Sequence, residues 1–197
     1  MYMKTKNNNT SSYHNYLKNR SKLGGIYREF FLYPRINKLL KGDMLDIGCG
    51  LGDMIQYRAN SVGCDINPLN IEYCKKRGLD AFVMGYNKPP FKNNSFDSIL
   101  LDNVIEHIVD PDPLLKSVKR LLKKDGFIVV GVPGVKGYQH DHDHKCFYNE
   151  QKIEQLALKH GYRVANAFYS PVGKSVFLSN NLSQYCYYSQ WTLNISR

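Results

Sequence analysis

The sequence predicts an α/β protein in which a mostly parallel sheet carries helices on both faces. From Met44 onward, short apolar runs alternate with capped or amphipathic segments, as they do in β-α-β units. The first of these runs leads directly into three glycines at alternate positions, Gly48, Gly50 and Gly52. Because glycine accepts positive φ and lets a ligand approach the backbone, this turn is the predicted centre of a binding site.

Five short apolar runs are predicted to be buried strands of the parallel sheet. In chain order they are Met44–Ile47, Ser61–Asp65, Ala81–Met84, Phe96–Asp102 and Phe127–Pro133. Their short length and apolar content suit strands that are covered on both faces. Further along, Arg163–Tyr169 and Ser175–Leu178 are predicted to pair with each other as an antiparallel ending of the sheet.

Four helices are predicted between or after these strands. They are residues 53 to about 58, 68–77, about 111–122 and 149–159. Pro68 suits the first turn of its helix, because proline has no N–H to satisfy there. Gly78 and Gly161 end two of the helices in the expected way.

The chain divides into three predicted parts. They are an N-terminal helical lid or cap (residues 1–41), the α/β domain (42–180) and an aromatic C-terminal tail (181–197). The polar, asparagine-rich residues 1–12 are predicted to be frayed. After them, two helices interrupted at Gly24–Gly25 and Pro34 are predicted to pack over the mouth of the sheet.

Two roles stay open for the N-terminal helices. They either cover the core as a plain layer, or they act as a lid that carries Tyr13, Tyr16 or Arg20 to the site. The aromatic tail leaves three alternatives. It walls an acceptor pocket, docks on another subunit to form an oligomer, or fills a hydrophobic groove.

Length and charge bound the classes of protein to consider. The 197 residues suit one α/β domain with a sizeable core and some appended elements. The net charge of +10 fits an anionic partner such as nucleic acid, an anionic membrane surface or a phosphorylated substrate. Charge alone gives little support for specific nucleic-acid binding, since lysine is abundant throughout the chain.

The sequence predicts a cytoplasmic protein. No apolar run approaches the roughly 20 residues that a membrane span needs. Residues 1–9 are not followed by the apolar region of a signal peptide. The five cysteines include no C-x-x-C pair, and reduced thiols are the expected state.

The spacing of the glycines argues against a dinucleotide and leaves another nucleotide-like ligand open. A dinucleotide fingerprint has the order G-x-G-x-x-G, whereas here the glycines alternate. Asp65 ends the second strand, nineteen residues after Asp46, which is close to the interval at which a ribose-binding acid follows a glycine turn. The two oxygens of a carboxylate match the two hydroxyls of an unmodified ribose.

Several motifs together resemble those of class I S-adenosylmethionine (SAM)-dependent methyltransferases. They are Leu45–Gly52, Asp65, Pro90–Phe91, Asn93–Asp97, Val104–His107 and Leu121–Gly126. They occur in one consistent order, so they support one another although each alone is weak. The resemblance is to the broad small-molecule group that includes quinone, sugar and antibiotic methyltransferases. It implies a Rossmann-like three-layer sandwich, with a mostly parallel seven-stranded sheet and an antiparallel C-terminal strand.

The resemblance also implies a SAM site at the carboxyl ends of the strands. The residues implied to bind the cofactor are Asp46, Gly48, Cys49, Gly50, Asp65, Ile66, Gly85, Asp102 and Asn103. Gly48 and Gly50 would pass under the methionine part, and Asp65 would bind the ribose hydroxyls. Asp102 and Asn103 would lie near the methionine amino group.

Two positions depart from the family pattern. Relatives often have an acid after the third strand that bonds the adenine amine, and here that position is Gly85. Adenine recognition would then use backbone atoms or another residue, such as Tyr86 or Asn87. The helix between Gly52 and Ser61 is also shorter than usual, which would leave that side of the cofactor more exposed.

Two histidines are candidate catalytic bases, His107 and His144. Methyl transfer mainly needs alignment of acceptor, methyl and sulfur, but an oxygen acceptor also needs a base, and histidine titrates near neutral pH. His107 follows the fourth strand and matches a family position that would face the acceptor pocket or the lid. The alternative for His107 is a structural role in which it ties a loop together by hydrogen bonds.

His144 belongs to a run of alternating histidines and aspartates, residues 140–144. Such a run has ligands that suit a divalent metal, but on a strand the histidines and the aspartates would lie on opposite faces. Three interpretations stay open: a loop over the active site with one working histidine, a solvated polar loop, and a metal site. The first is favoured, with His144 as the working residue, and no metal ligand is assigned.

The function favoured by the sequence is SAM-dependent O-methylation of a small molecule or of a glycan or nucleotide-sugar intermediate, in which a phosphate would suit the basic surface. One alternative is an RNA methyltransferase. Against it, the fourth strand ends in Leu101–Val104 and not in the block typical of base amino-group methylases, so a nucleic-acid partner is disfavoured. Another alternative is a degenerate SAM-binding subunit that activates a second chain.

Overall fold

The computed structural model describes residue 11 and residues 13–194. The predicted frayed segment, residues 1–12, therefore lies almost entirely outside the described residues. The structure contains one seven-stranded sheet with the strand order β3-β2-β1-β4-β5-β7-β6. Six strands run in one direction, and β7 runs against both of its neighbours. The predicted fold class, with its antiparallel C-terminal strand, is confirmed.

The strands follow the chain in this order: β1 (Met44–Ile47), β2 (Ser61–Asp65), β3 (Ala81–Val83), β4 (Phe96–Asp102), β5 (Leu122–Pro133), β6 (Tyr162–Ser170) and β7 (Cys186–Leu193). β1 lies inside the sheet, next to the central strand β4, and pairs in parallel with β2 on one side and β4 on the other. All four residues of β1 are buried, which agrees with its apolar sequence.

Residues 13–18 are helical. The helices after them are α1 (Lys22–Tyr27), a π-helical segment (Arg28–Leu32), α2 (Tyr33–Lys38), α3 (Asp53–Tyr57), α4 (Pro68–Lys76), α5 (Asp112–Leu121), α6 (Val135–His140), α7 (Glu150–Lys159) and α8 (Val176–Asn181), with a 3₁₀ turn at Ile105–His107. Asn67 and Asn149 cap α4 and α7, since each side-chain oxygen accepts a backbone N–H of the first turn.

Helices cover both faces of the sheet and form two apolar clusters. One cluster joins α5 and α7 to the sheet through residues such as Leu115, Val118 and Ile153. The other joins α2, α3 and α4 to the opposite face, through residues such as Ile36 and Ile71. The protein is thus the predicted three-layer sandwich. No helix in residues 13–194 is long and apolar enough to cross a membrane.

The N-terminal helix is more continuous than the sequence predicted. Gly24 and Gly25 lie inside α1 and do not interrupt it, because an internal glycine costs a helix only about 1 kcal/mol. Pro34 lies in the first turn of α2, directly after the π-helical segment. Proline lacks the N–H that would continue the regular bonding pattern, which accounts for a wider turn at this place.

The C-terminal pairing predicted from the sequence is wrong. Residues 176–181 form helix α8, and the partner of β6 is β7. β7 comes from the predicted aromatic tail, so the sheet continues beyond residue 180. Trp191 of this strand is completely buried and packs in the core near Tyr162. Most of the tail is thus a strand of the sheet between β5 and β6, and its residues Tyr187 and Tyr188 also line cavities.

Candidate active site

The strand order places a crevice at the carboxyl ends of β1 and β4. The chain leaves β1 towards β2 on one side, whereas β4 and β5 lie on the other, so the connections diverge above these two strands. Open α/β sheets bind ligands at such a switch point. The glycine turn follows β1 at Gly48, and Asn103 follows β4. The predicted site residues of the two strands therefore meet at one edge of the sheet.

The glycine turn has backbone angles that need glycine. Gly48, Gly50 and Gly52 have φ values of 76°, 54° and 81°, in the left-handed region. A Cβ on Gly48 would also lie 2.7 Å from a methyl carbon of Val104, so no side chain fits between the turn and the end of β4. The backbone at Gly48 and Gly50 is thus open to a ligand on the cavity side.

Asp65 is buried and holds the glycine turn in place. Its Oδ2 accepts the backbone N–H of Gly50 at 2.9 Å and a side-chain N–H of Asn70 at 3.3 Å. Its Oδ1 accepts the backbone N–H of Asn67 at 2.7 Å. Burial raises the pKa of Asp65, while these hydrogen bonds oppose the shift.

Two further carboxyls face the same cavity, the buried Asp46 and the half-buried Asp102. Burial raises the pKa of Asp46 well above its usual range, and the neighbouring charges of Asp102 and Asp65 raise it further. Burial also raises the pKa of Asp102, although Tyr188 of β7 donates a hydrogen bond of 2.8 Å to its Oδ1. This wall of the cavity is therefore acidic in a chain whose net charge is +10.

The N-terminal segment covers the cavity from the other side. Tyr13, Tyr16, Leu17 and Arg20 contribute to its lining. Burial raises the pKa of Tyr13 to about 12. The ring of His14 hydrogen-bonds to the side-chain oxygen of Asn70 at 2.9 Å. Residues of this segment thus line the cavity, and its role as a lid stays a prediction.

The cavity has a volume of about 590 Å³. Most of the predicted site residues line it: Asp46, Gly48, Cys49, Gly50, Asp65, Asp102, Asn103, His107 and His144. Ile66 and Gly85 do not. The side chain of Ile66 is 61% exposed, and Gly85 forms a bridge with Lys88 in the loop after β3. Tyr188, which donates to Asp102, is the neighbour of the site that the sequence analysis missed. Arg20, one of the residues that a lid was predicted to carry to the site, lines the cavity, and its Nε is buried and unpaired among the described residues.

The wall at the end of β4 contains both candidate bases and a third residue, Glu106. The rings of His107 and His144 lie with their centroids 4.6 Å apart. His144 Nε2 lies 3.9 Å from Glu106 Oε1. Burial lowers the pKa of His107, and the neighbouring His144 lowers it further. Burial raises the pKa of Glu106 to about 8.

Glu106 was part of a motif in the sequence but received no role there. Its side chain is completely buried, and neither carboxylate oxygen has a hydrogen-bond partner among the described residues. Its backbone carbonyl accepts the N–H groups of Lys145 and Cys146, at 2.7 and 3.1 Å. This pair of bonds brings the loop of His144 to the end of β4. His140 and His142, by contrast, are exposed.

The fold and the site define the class of protein. A seven-stranded sheet of this order, with a glycine turn after β1 and an acid after β2, is the arrangement of class I SAM-dependent methyltransferases. Residues 45–130 match a family described as a methyltransferase domain. This match covers less than half of the chain, and the fold of the whole sheet is that of solved SAM-dependent methyltransferases.

Comparison with individual proteins gives the same class. A crystal structure of a SAM-dependent methyltransferase from Thermotoga maritima superposes with a TM-score of 0.69 at 21% identity, over 87% of this chain and 92% of that one. Ubiquinone biosynthesis O-methyltransferase of Bartonella bacilliformis is 27% identical over 67% of this chain and 65% of its own length. Probable tRNA methyltransferase 9B of Homo sapiens is 29% identical over 46% of this chain and 22% of its own length. The chain thus spans less than two thirds of the length of these two curated relatives.

The residues of the cavity fit SAM. The cofactor carries a positive sulfonium and a positive amino group, which the acidic wall of Asp46 and Asp102 complements. Arg20 can pair with the carboxylate of the methionine part, since its buried Nε has no partner among the described residues. The glycine turn provides the space beside β1, and Asp65 retains acceptor capacity for ribose hydroxyls.

Proposed function

We propose that the protein is a SAM-dependent methyltransferase that methylates an oxygen of a small molecule or of a glycan or nucleotide-sugar intermediate. The observation that carries this proposal is the position of His107 and His144 on the wall of the cavity that Gly48 and Asp102 also line. The methyl donor and a group able to accept a proton thereby share one cavity. An oxygen acceptor needs both.

In the proposed reaction the protein binds and aligns the two substrates. Asp65 holds the ribose, Asp46 and Asp102 hold the positive end, and Arg20 holds the carboxylate of SAM. When bound, SAM supplies a methyl group on a leaving group that is already activated. His107 accepts the proton of the acceptor hydroxyl, and it suits this role because its lowered pKa keeps the imidazole neutral at pH 7.

A second cavity supports a small acceptor. It has a volume of about 390 Å³ and adjoins the first at Pro133, which lines both. Its walls include the aromatic residues Tyr148, Tyr169 and Tyr187. Lys174 and Glu150 form an ion pair of 2.7 Å at this cavity and offer polar contacts. Aromatic walls with a few polar groups are typical of sites for small ring-shaped ligands.

An RNA acceptor is the second candidate, supported by the net charge of +10 and by the similarity to a protein named as a tRNA methyltransferase. The two candidates differ in salt dependence. An RNA-binding protein loses affinity steeply as salt rises, because phosphate contacts release counterions. A cavity-bound small acceptor has a much weaker dependence.

Labelled methyl transfer would test the proposal. SAM with a radioactive methyl group is incubated with the full chain and with separate pools of hydroxylated small molecules, nucleotide sugars and total tRNA. We expect label in a small-molecule or nucleotide-sugar pool and none in tRNA. Label in tRNA, with affinity that falls steeply with salt, would establish the RNA candidate. Absence of SAM binding in calorimetry would favour a non-catalytic partner subunit and overturn both.

A further inference from the structure

We propose that Glu106, His107 and His144 form a binding site for one divalent transition-metal ion at the edge of the cofactor cavity. The inference rests on the proposed methyl transfer and gives His107 a different part in it, as a ligand of the ion that holds the acceptor oxygen in place of a proton acceptor. One potential ligand atom from each of the three residues lies within 4.8 Å of the others. Atoms this close can share one ion with small side-chain movements, since metal–ligand distances in such sites are about 2.0–2.2 Å.

The surroundings of Glu106 are the main observation that indicates a bound ion. A completely buried carboxylate normally has several hydrogen-bond donors, because leaving it unpaired costs folding free energy. Both oxygens of Glu106 lack a donor among the described residues, whereas Asp65 in the same protein has three. A cation between Glu106 and the two histidines would supply the missing partner.

His144 is held in the form that a metal requires. The geometry lets its Nδ1–H donate to the backbone carbonyl of Tyr138 at 2.8 Å, and the Tyr138 ring stacks on the imidazole. In that tautomer Nε2 carries the free lone pair, and Nε2 is the atom that faces Glu106 at 3.9 Å. Metal-binding histidines commonly donate their other N–H to a backbone carbonyl in this way.

The ligand set defines the class of ion. Two imidazoles and one carboxylate suit Zn²⁺, Co²⁺, Mn²⁺ or Fe²⁺ better than Mg²⁺ or Ca²⁺, which prefer oxygen ligands. Three protein ligands leave at least one coordination position open, as in catalytic sites. His107 and His144 line the cofactor cavity, so this open position has an entry path.

The ion would change how the acceptor is activated. A hydroxyl oxygen of the acceptor in the open position loses its proton more easily, since a bound cation stabilises the resulting negative charge. The O–H bond breaks, the proton passes to solvent, and the oxygen then forms its bond to the methyl carbon as the carbon–sulfur bond breaks. His107 and His144 act as ligands in this state, and no oxidant or reductant is needed.

Metal binding to the isolated full chain tests the site without the acceptor. Protein without a polyhistidine tag is dialysed against a chelator and titrated with Co²⁺, while the visible absorption and the heat of binding are recorded. We expect one Co²⁺ per chain, displaced by Zn²⁺. Glu106→Gln and His144→Ala should each weaken binding by at least about tenfold. Two variants are used so that the test still holds if one of them misfolds. Thermal unfolding shows whether each variant is folded.

The matched control is His142→Ala. His142 belongs to the same loop, two residues before His144, but it is exposed and lies outside the cluster. Its removal should leave Co²⁺ affinity unchanged. The proposal is overturned if the wild type binds no Co²⁺, if Glu106→Gln and His144→Ala bind as tightly as the wild type, or if His142→Ala loses the site.

SAM binding separates this inference from the proposed function. Calorimetry with SAM is performed on the chelator-treated wild type, since the cofactor contacts at Asp65 do not involve the metal ligands. SAM binding without Co²⁺ binding would refute the metal site and leave the methyltransferase proposal standing. Co²⁺ binding without SAM binding would contradict the proposed function and support the ion site alone.

Discussion

On the β1 side of the cavity the buried Asp65 has hydrogen-bond partners within the protein, whereas on the β4 side the buried side chain of Glu106 has none among the described residues. Asp65 accepts three hydrogen bonds, two of them from backbone N–H groups. Glu106 accepts none with its side chain among the described residues. Both carboxyls are buried and both have raised pKa values. They differ in the number of hydrogen-bond donors around the carboxylate.

The difference separates two ways of preparing a site. Hydrogen bonds to Asp65 hold the carboxylate and the glycine turn in one geometry before any ligand arrives, so binding requires little further ordering. An unpaired Glu106 destabilises the ligand-free protein, and a bound cation would remove that cost. The first wall is thus suited to a ligand with hydroxyl donors and the second to a positive ion.

The largest expected effect concerns Asp65, the buried acid that accepts three hydrogen bonds. Asp65→Ala removes the acceptor for the ribose and the group that holds Gly50, so SAM affinity should fall by about 10- to 100-fold or more. Calorimetric titration with SAM measures the change. Asp80→Ala is the matched control, since Asp80 is an exposed aspartate beside β3, and its SAM affinity should equal that of the wild type. Unchanged affinity in Asp65→Ala would remove Asp65 from the ribose site.

The second prediction concerns Glu106, the buried acid without a hydrogen-bond partner among the described residues. Glu106→Met replaces a buried carboxyl that has no described partner by an apolar side chain of similar length. In the presence of a chelator, the free energy of unfolding should rise by about 1–2 kcal/mol. Urea denaturation measures it, with exposed Glu154→Met as the control that should stay within about 0.5 kcal/mol of the wild type. A large loss of stability in Glu106→Met would show that Glu106 has a partner after all.

The smallest effect is expected at the opposite end of β4, where Asp97 accepts a part-buried hydrogen bond of 2.8 Å from Lys123. This bond lowers the pKa of Asp97 below its usual value. A depressed folded-state pKa stabilises the protein above the unfolded pKa, near 4, and the contribution disappears as pH falls through the folded value. Asp97→Asn should lower Tm at pH 7 by less than about 2 °C.

The pH and salt dependence of the Asp97 effect provides its check. The difference in Tm between Asp97→Asn and the wild type should shrink as pH falls below about 4, and also as salt rises at pH 7, because exposed ion pairs are screened. A difference that persists at low pH would point to a packing effect of the substitution. The comparison with Asp65 would then need a different exposed reference.

The sequence predicted well those parts of the site that lie close together along the chain. Gly48 and Gly50 follow β1 directly, and Asp65 ends the next strand, so a local pattern of strand, turn and acid is sufficient to place them. The caps of α4 and α7 belong to the same category. Ile66 and Gly85, taken from the family resemblance alone, do not line the cavity, since that assignment had no local geometry behind it.

Local patterns failed where the partner lies far along the chain. The predicted tail forms β7, which lies between β5 and β6 and buries aromatic side chains. This position depends on the packing of the whole core. In the same way Tyr188 reaches Asp102 across 86 positions of sequence. Neither pairing leaves a signal in a short window of residues.

By itself, then, the sequence determined the α/β class, the positions of the first strands along the chain, the glycine turn and the acid that accompanies it, since backbone preferences and hydrophobic periodicity act over a few residues. The tertiary structure alone decided the position of β7, the closure of the N-terminal segment over the cavity, and the approach of His144 to Glu106 and His107. These contacts depend on burial and on side-chain geometry between distant segments. Only the folded chain brings such segments together.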